Sequence, residues 1–449
     1  MSRAVAGCAR LKIGALIAVL WLLCGAFCAA ATIVPGLYSG TIQNGNSGAS
    51  PITLRIIQGG GALVDLPAEN IYGFPVSSIK IDRQKIDFTL GVENGALHFS
   101  GRLDGADKNA RITGHYSGSS ASGDFVLSPR EESPEELVGI PLSLRAPGGY
   151  IRGNLLMPEG KTPCPLVIIV GGAGTTDRDG NNYNVPGKCN ALKDLALGLS
   201  RLGIASYRYD KRGAGQCYMR AKSEELTRFN DYIADAKSVF ESFTSDSRFS
   251  RIIMLGHNEG ALVAIAAANE EQQRKRTVPD SIIMVCASGK SALQIVTETL
   301  SAVPAENKKE ADDIMNSLEK GRIYPHPSAY FADFFRPSYQ PYLMSWFRYD
   351  IKKELEKWQG PVLLVQGDRD FQVTMREFQL LAEASPKSPA LVVAEMNHEL
   401  KKVPADLDEN YKAFSDPSYP LAPGLAESIA AFIGGGAYPS TVKRVDTGN

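Results

Sequence analysis

The hydrophobic grammar of this chain changes once, near residue 131, and that change limits what it can fold into more than any other feature. From Leu37 to about Arg130 apolar residues recur with a period of two. Ile52, Leu54 and Ile56 alternate with Thr53 and Arg55. Ile86, Phe88, Leu90 and Val92 alternate with Asp87, Thr89 and Gly91, and Leu97 and Phe99 with His98 and Ser100. Successive strand side chains point to opposite faces, so each stretch makes a strand with one apolar face. Asn44-Gly45-Asn46, Gly59-Gly60-Gly61, Asn94-Gly95 and Asp104-Gly105 interrupt the pattern, and Asn-Gly and Asp-Gly favour hairpin turns. Residues 32–130 therefore read as about seven or eight short antiparallel strands closed as a barrel or sandwich. No cluster of catalytic residue types falls here, and His98 and His115 read as solvated strand residues.

Glu131-Glu132-Ser133-Pro134-Glu135-Glu136 (131–136) reads as a linker. From 137 to 435 the pattern alternates between strand and helix. Pro165–Val170, Ile204–Tyr209, Ile252–Leu255, Ile282–Val285 and Val362–Val365 are apolar runs of strand length. Ala191–Leu202, Asp231–Phe243 and Ala261–Asn269 read as helices. Such alternation specifies a mostly parallel sheet with helices on both faces, an α/β fold. An interruption over about 289–359 begins with helical segments and ends in an aromatic run from Tyr330 to Tyr349, and reads as a cap insertion. Its aromatics either pack a small core of their own or line an apolar acyl pocket; both readings stand. Residues 436–449 read as a C-terminal tail.

Arg3, Arg10 and Lys12 precede an apolar run, Ile13 to Ala31, that closes in Ala29-Ala30-Ala31. A charged start, apolar middle and small-residue end describe a secretory signal peptide over 1–31. Its removal implies an exported protein, periplasmic or secreted; a retained membrane anchor is the rival reading. Cys8, Cys24 and Cys28 leave with the leader. Cys164, Cys189, Cys217 and Cys286 remain in a compartment that permits disulfides. Lys and Arg number 48 and Asp and Glu 49, a balance without the basic excess of a nucleic-acid binder. A chain 44% hydrophobic and 22% charged is not a disordered one. No cofactor is expected. Gly171-Gly172-Ala173-Gly174 lacks the Lys-Ser/Thr ending of a phosphate loop. No metal is expected either, because no C-x-x-C pair occurs and no His/Asp/Glu group has ligand spacing.

The chemistry concentrates at Gly256-His257-Asn258-Glu259-Gly260, between the strand Ile252–Leu255 and the helix from Ala261. Strand, sharp turn and helix, with glycines at both ends of a pentapeptide, form the context of a G-x-S-x-G nucleophile elbow. Here the central residue is Asn258. Partners follow in the chain order of that motif. Val362–Val365 leads into Gln366-Gly367-Asp368-Arg369-Asp370, and Leu391–Ala394 leads into Glu395-Met396-Asn397-His398. Strand C-termini are where such a sheet presents its site.

With these residues in view the chain resembles the exported α/β-hydrolases of the serine-aminopeptidase-like and carboxylesterase group. Asp177-Arg178-Asp179-Gly180-Asn181-Asn182, Tyr209-Asp210-Lys211-Arg212-Gly213, Phe335-Arg336-Pro337-Ser338 with Gln340-Pro341-Tyr342, and Met396-Asn397-His398 carry the resemblance. It covers about Leu137 to Gly435 and implies an α/β-hydrolase fold with a helical cap. Through Gly367-x-x-Asp370-x-x-Val373 it makes Asp370, rather than Asp368, the acid, and His398 the base. The oxyanion hole it implies uses the backbone N–H of Glu259 and of Gly174, with Ala173 as the alternative. In that fold Cys189 and Cys217 lie near the C-terminal edges of adjacent strands, so a disulfide between them is expected, two free thiols being the other outcome.

The departure is Asn258. An amide has no hydroxyl for His398 to deprotonate. Losing a triad serine costs on the order of 10⁶ in kcat. The implied function is therefore of carboxylic ester hydrolase type, acting on or binding a small acyl ester or peptide-like ligand. Ordinary serine-hydrolase turnover is expected to be very weak or absent. The alternatives are a non-catalytic binding protein, a hydrolase in which His398 activates water directly, or one in which Asn258 deamidates to a nucleophilic aspartate.

Overall fold

The computed structural model describes residues 32–445 apart from 44–47, 58–59, 70, 93–94, 106–108, 119–121, 133–136, 161 and 221–222. The leader 1–31, the turn at Asn44-Gly45-Asn46, most of the linker and the last four residues lie outside the described residues.

The N-terminal body is one antiparallel sheet. Its strands are β1 Gly36–Gln43, β2 Ala49–Ile56, β3 Ala62–Leu66, β4 Ile71–Pro75, β5 Ser78–Asp82, β6 Lys85–Val92, β7 Gly95–Asp104, β8 Arg111–Ser117 and β9 Ser122–Arg130. They lie in the order β4-β3-β2-β1-β9-β8-β7-β6-β5. The two edges, β4 and β5, are consecutive in the chain and separated only by Val76 and Ser77. The Val76 N–H donates to Ala62 O on the β3 side, and the Ser77 N–H to Thr89 O on the β6 side. The sheet therefore curls until its edges meet at this connection, giving an open barrel. Leu54, Ile86, Leu90, Ile112 and Leu127 are fully buried inside it, with Phe88, Phe99 and Phe125 in mutual ring contact. The strand count is nine, above the sequence expectation. β3, β4 and β5 have five residues each, too few to show a period of two.

The second body is also built on nine strands: β10 Ile140–Ala146, β11 Gly149–Leu156, β12 Cys164–Val170, β13 Ala205–Tyr209, β14 Phe249–His257, β15 Ser281–Val285, β16 Val362–Gly367, β17 Ala390–Val393 and β18 Val442–Arg444. The order is β10-β11-β13-β12-β14-β15-β16-β17-β18. From β13 to β17 neighbours are parallel; β10, β11 and β18 pair antiparallel at the edges. β18 corrects the reading of residues 436–449 as a tail: three residues with one apolar side chain carry no readable period, yet they pair with β17.

Both faces of this sheet are covered, so its central strands are apolar on both sides. Leu166 and Ile168 of β12 join the core under α2 (Phe229–Phe243) and α3 (Glu259–Gln273). Val167 and Ile169 join the opposite core under α1 (Ala191–Arg201). Between β15 and β16 run α4 Ala292–Ser301, α5 Lys308–Glu319, α6 Ala332–Phe335, α7 Gln340–Trp346 and α8 Ile351–Lys357. They form a cap, with Phe331, Phe335 and Tyr342 buried and Phe334 exposed. α9 Met375–Ala384, α10 Leu407–Lys412 and α11 Leu425–Gly434 complete the fold, α11 beside α1. This strand order and helical cover, with the cap inserted after β15, is the α/β-hydrolase fold.

The expected disulfide is not formed: Cys164, Cys189, Cys217 and Cys286 are all buried thiols. Each of the proposed pair serves different neighbours. Cys189 Sγ lies 3.4 Å from Gly180 O and 3.4 Å from the Glu399 carboxylate. Cys217 Sγ accepts from the Arg152 N–H at 3.2 Å, under β11. Among the described residues no helix is long and apolar enough to cross a membrane.

Candidate active site

β14 ends at His257, and the next residue turns sharply into α3. Asn258 has φ 50° and ψ −119°, a backbone conformation that costs a non-glycine residue of order 1–3 kcal/mol. The turn closes because its flanks are glycine. A Cβ on Gly256 would sit 2.2 Å from Gly260 O, and one on Gly260 would sit 2.3 Å from Val170 O. The elbow thus keeps the strain and close packing of a nucleophile turn while presenting a carboxamide.

His398 follows β17. Its Nδ1 lies 2.8 Å from Asp370 Oδ2 and its Nε2 lies 2.7 Å from Asn258 Nδ2. Both side chains of the His398–Asp370 pair are shielded from water. Asp370 Oδ1 also accepts from the N–H groups of Gln372 and Val373, each at 2.9 Å, and Oδ2 from Gln366 Nε2 at 3.1 Å. Burial alone would raise the Asp370 pKa, but the His398 hydrogen bond and charge, helped by the backbone donors, hold it below the usual carboxylate value. Burial likewise depresses His398, and the Asp370 carboxylate outweighs it, so His398 stands above the ordinary histidine value. Asp368 is placed elsewhere: its Oδ1 accepts from the Glu395 N–H at 2.7 Å and pins the turn after β17.

The loop after β12 lies against the elbow. A Cβ on Gly172 would meet His257 Nδ1 at 3.1 Å and the Asn258 Cβ at 3.6 Å. Gly174 has φ 73° in the same loop. Glu259 is the first residue of α3, where a backbone N–H has no partner within the helix. These are the two positions at which the resemblance places the oxyanion donors, a role that in hydrolases is worth roughly 3–4 kcal/mol per donor.

Sequence reasoning missed the side chains that brace this arrangement. Lys211 Nζ donates to Gly172 O at 2.5 Å and to Glu259 Oε1 at 2.9 Å. One buried ammonium therefore ties the loop after β12 to the first residue of α3. Tyr342 of the cap donates to Glu259 Oε2 at 2.6 Å. The signal was the motif Tyr209-Asp210-Lys211-Arg212-Gly213, which carried a resemblance but no role. The motif Asp177–Asn182 is bonded to this same stretch. Arg178 reaches Asp210 at 2.5 Å and Asn154 at 2.6 Å, and Arg208 reaches Asp179 at 3.0 Å.

His257, the residue before Asn258, is buried and lies 2.8 Å from His398 O through Nε2. Burial, with the neighbouring His398 charge, lowers its pKa to about 3. His257, Cys286 and His398 each offer a ligand atom within 4.8 Å of the others. Sequence spacing could not show this, because the three come from separate strand ends. Both His398 ring nitrogens and His257 Nε2 are already engaged, and burial and Asp370 push the Cys286 thiol well above its ordinary value. A metal bound through His398 would displace either its Asn258 or its Asp370 contact.

Residues 187–402 match the family model described as serine aminopeptidase, S33. The chain is 25% identical over 333 residues to esterase EstD of Thermotoga maritima, covering 71% of this chain and 73% of that protein. Solved structures with a similar outline include Est1E from Butyrivibrio proteoclasticus, at 17% identity and a TM-score of 0.41, covering 58% of this chain and 90% of that one. The Pyrococcus furiosus esterase Pf2001 is matched at 14% identity and a TM-score of 0.35, over 59% and 83%. The chain thus has the α/β-hydrolase fold, and over part of its length it is similar to the serine aminopeptidase family model and to an esterase.

Proposed function

We propose that this chain binds small acyl esters in a carboxylic ester hydrolase-type site and, with Asn258 at the nucleophile position, turns them over very weakly or not at all. The observation that carries this reading is the elbow itself: a strained Asn258 whose amide occupies the contact with His398 that a serine hydroxyl would use. His398, oriented by Asp370, is placed to accept a proton, and Asn258 offers no hydroxyl oxygen to attack substrate carbon. Export after removal of residues 1–31 belongs to the same proposal, supported by the charged, apolar and small-residue segments of that leader.

The test is hydrolysis of p-nitrophenyl acetate and butyrate by the purified chain beside Asn258→Ser. The unmodified protein is expected near the buffer rate, and the serine variant at least ~10²-fold above it. A folded serine variant with no gain overturns the ester-hydrolase ancestry of the site. An unmodified chain as fast as the variant overturns the assignment of Asn258 as inert, and a peptide map showing a mass gain at Asn258 would then identify deamidation as the route.

A further inference from the structure

A cleft of about 770 Å³ opens at Gly174, in the loop after β12, and its walls come from four parts of the chain, one of them the stretch between β13 and α2 with the start of α2. The barrel contributes Val76 to Ile79, the connection at which the sheet edges meet. The loop before α1 contributes Tyr183, and the cap contributes Phe334, Tyr339 and Tyr342. The barrel is held against this loop by two ring contacts: Phe74 lies edge-on to Tyr183 at 5.8 Å, and Lys188 Nζ sits 4.4 Å over the Tyr72 ring. Tyr183 therefore touches the barrel and lines the cleft at once.

The lining states what the cleft can hold. Tyr232 joins the four rings already named, so aromatic faces dominate. The charged groups are already paired with one another: Arg212 with Asp235 at 2.9 Å, and Arg336 with Glu224. Neither pair offers a spare charge to an ionic ligand. A neutral molecule with a flat ring satisfies both features.

We propose that the N-terminal barrel is part of the ester site, and that its Val76–Ile79 connection walls a subsite for the ring of a neutral aromatic ester. The proposal rests on the ester-site reading above and adds to it the ligand class and the role of the barrel.

Because Asn258 is expected to leave esters intact, binding can be measured on the unmodified full chain by titration calorimetry with methyl 2-naphthoate. Ser78 is exposed at the start of β5, so Ser78→Trp narrows the cleft without entering the barrel core. Lys85→Trp, on exposed β6 away from the cleft, is the control. The naphthoate ester is expected to bind more tightly than methyl octanoate, and Ser78→Trp to weaken it by about tenfold or more while Lys85→Trp does not. Phe334→Ala, an exposed cap substitution on the opposite wall, is expected to weaken it as well. No binding of the naphthoate ester, equal binding of the octanoate, or a Ser78→Trp chain that melts and binds like the original overturns the proposal. These readouts use the chain with Asn258 in place, so they are independent of whether Asn258→Ser hydrolyses p-nitrophenyl acetate.

Discussion

The side-chain amide nitrogen of Asn258 lies 2.7 Å from Nε2 of His398. With the Nδ1–H donating to Asp370, neutral Nε2 is an acceptor, and the amide fills it. The proton-accepting face of the base is thus occupied by a group that donates a hydrogen bond but has no acidic hydroxyl to surrender. The rest of the machinery stands assembled around that contact, which makes the consequences of changing it specific.

Asp370 and Asp368 are two residues apart and separate cleanly in role. In the Asn258→Ser background, Asp370→Asn is expected to lower kcat by about 10⁴-fold, the loss seen when a triad acid no longer holds the histidine tautomer. Asp368→Asn keeps an acceptor for the Glu395 N–H and removes only a charge beside Arg369, so it is expected to leave most of the rate. Steady-state kinetics on both double variants decide it, and equal losses would undo the assignment.

The pH dependence of the same serine variant follows from the raised His398 pKa. The base must be neutral to accept a proton, so activity is lost as pH falls through the folded His398 value, which stands above the ordinary 6.5. Removing the Asp370 charge leaves burial as the dominant influence. The acid limb of kcat/KM in the Asp370→Asn form should therefore move to lower pH. A limb that moves upward or stays in place contradicts the pairing.

His257 governs stability in a different pH window. It is neutral when folded because burial and His398 hold its pKa near 3, whereas the unfolded chain protonates near 6.5. Between those values the unfolded state carries the extra proton, so stability falls as pH falls from about 6.5 toward 3, by a few kcal/mol at most. His398 acts with the opposite sign, since its raised pKa adds stability below 6.5 that is lost as pH rises through the folded value. Thermal melts from pH 7 to pH 4 should show a steeper decline for the unmodified chain than for His257→Gln; parallel curves would rule His257 out.

Lys211 and Glu259 form an ion pair with both side chains 2% exposed. Removing one member leaves the other charge buried, so Lys211→Met is expected to cost about 3–5 kcal/mol. Tyr342→Phe removes one neutral donor to Glu259 and is expected to cost about 1–3 kcal/mol. Urea unfolding of the three proteins gives both numbers, and a Lys211→Met loss smaller than that of Tyr342→Phe would show that the ammonium is not what anchors Glu259.

Much of this molecule was legible in its residues because the relevant physics is local. A period of two marks strands of the barrel, and apolar runs alternating with helical spacing mark the doubly covered sheet. The glycines around Asn258 mark the elbow because only glycine avoids the backbone atoms at about 2.2–2.3 Å from a Cβ there. Strand ends drew attention to Asp368, Asp370 and His398, and the family resemblance alone singled out Asp370 as the acid. Tertiary structure alone decided what depends on chain segments far apart in sequence. Lys211 meets Glu259 across 48 positions, His257 meets His398 across 141, and Tyr342 descends from the cap onto Glu259 across 83. It also parted Cys189 from Cys217, added β18 to the sheet edge and set the barrel connection Val76–Ile79 beside Gly174. Periodicity records which face of an element is buried, and says nothing of which distant side chain will share that buried space; that is settled only when the elements pack.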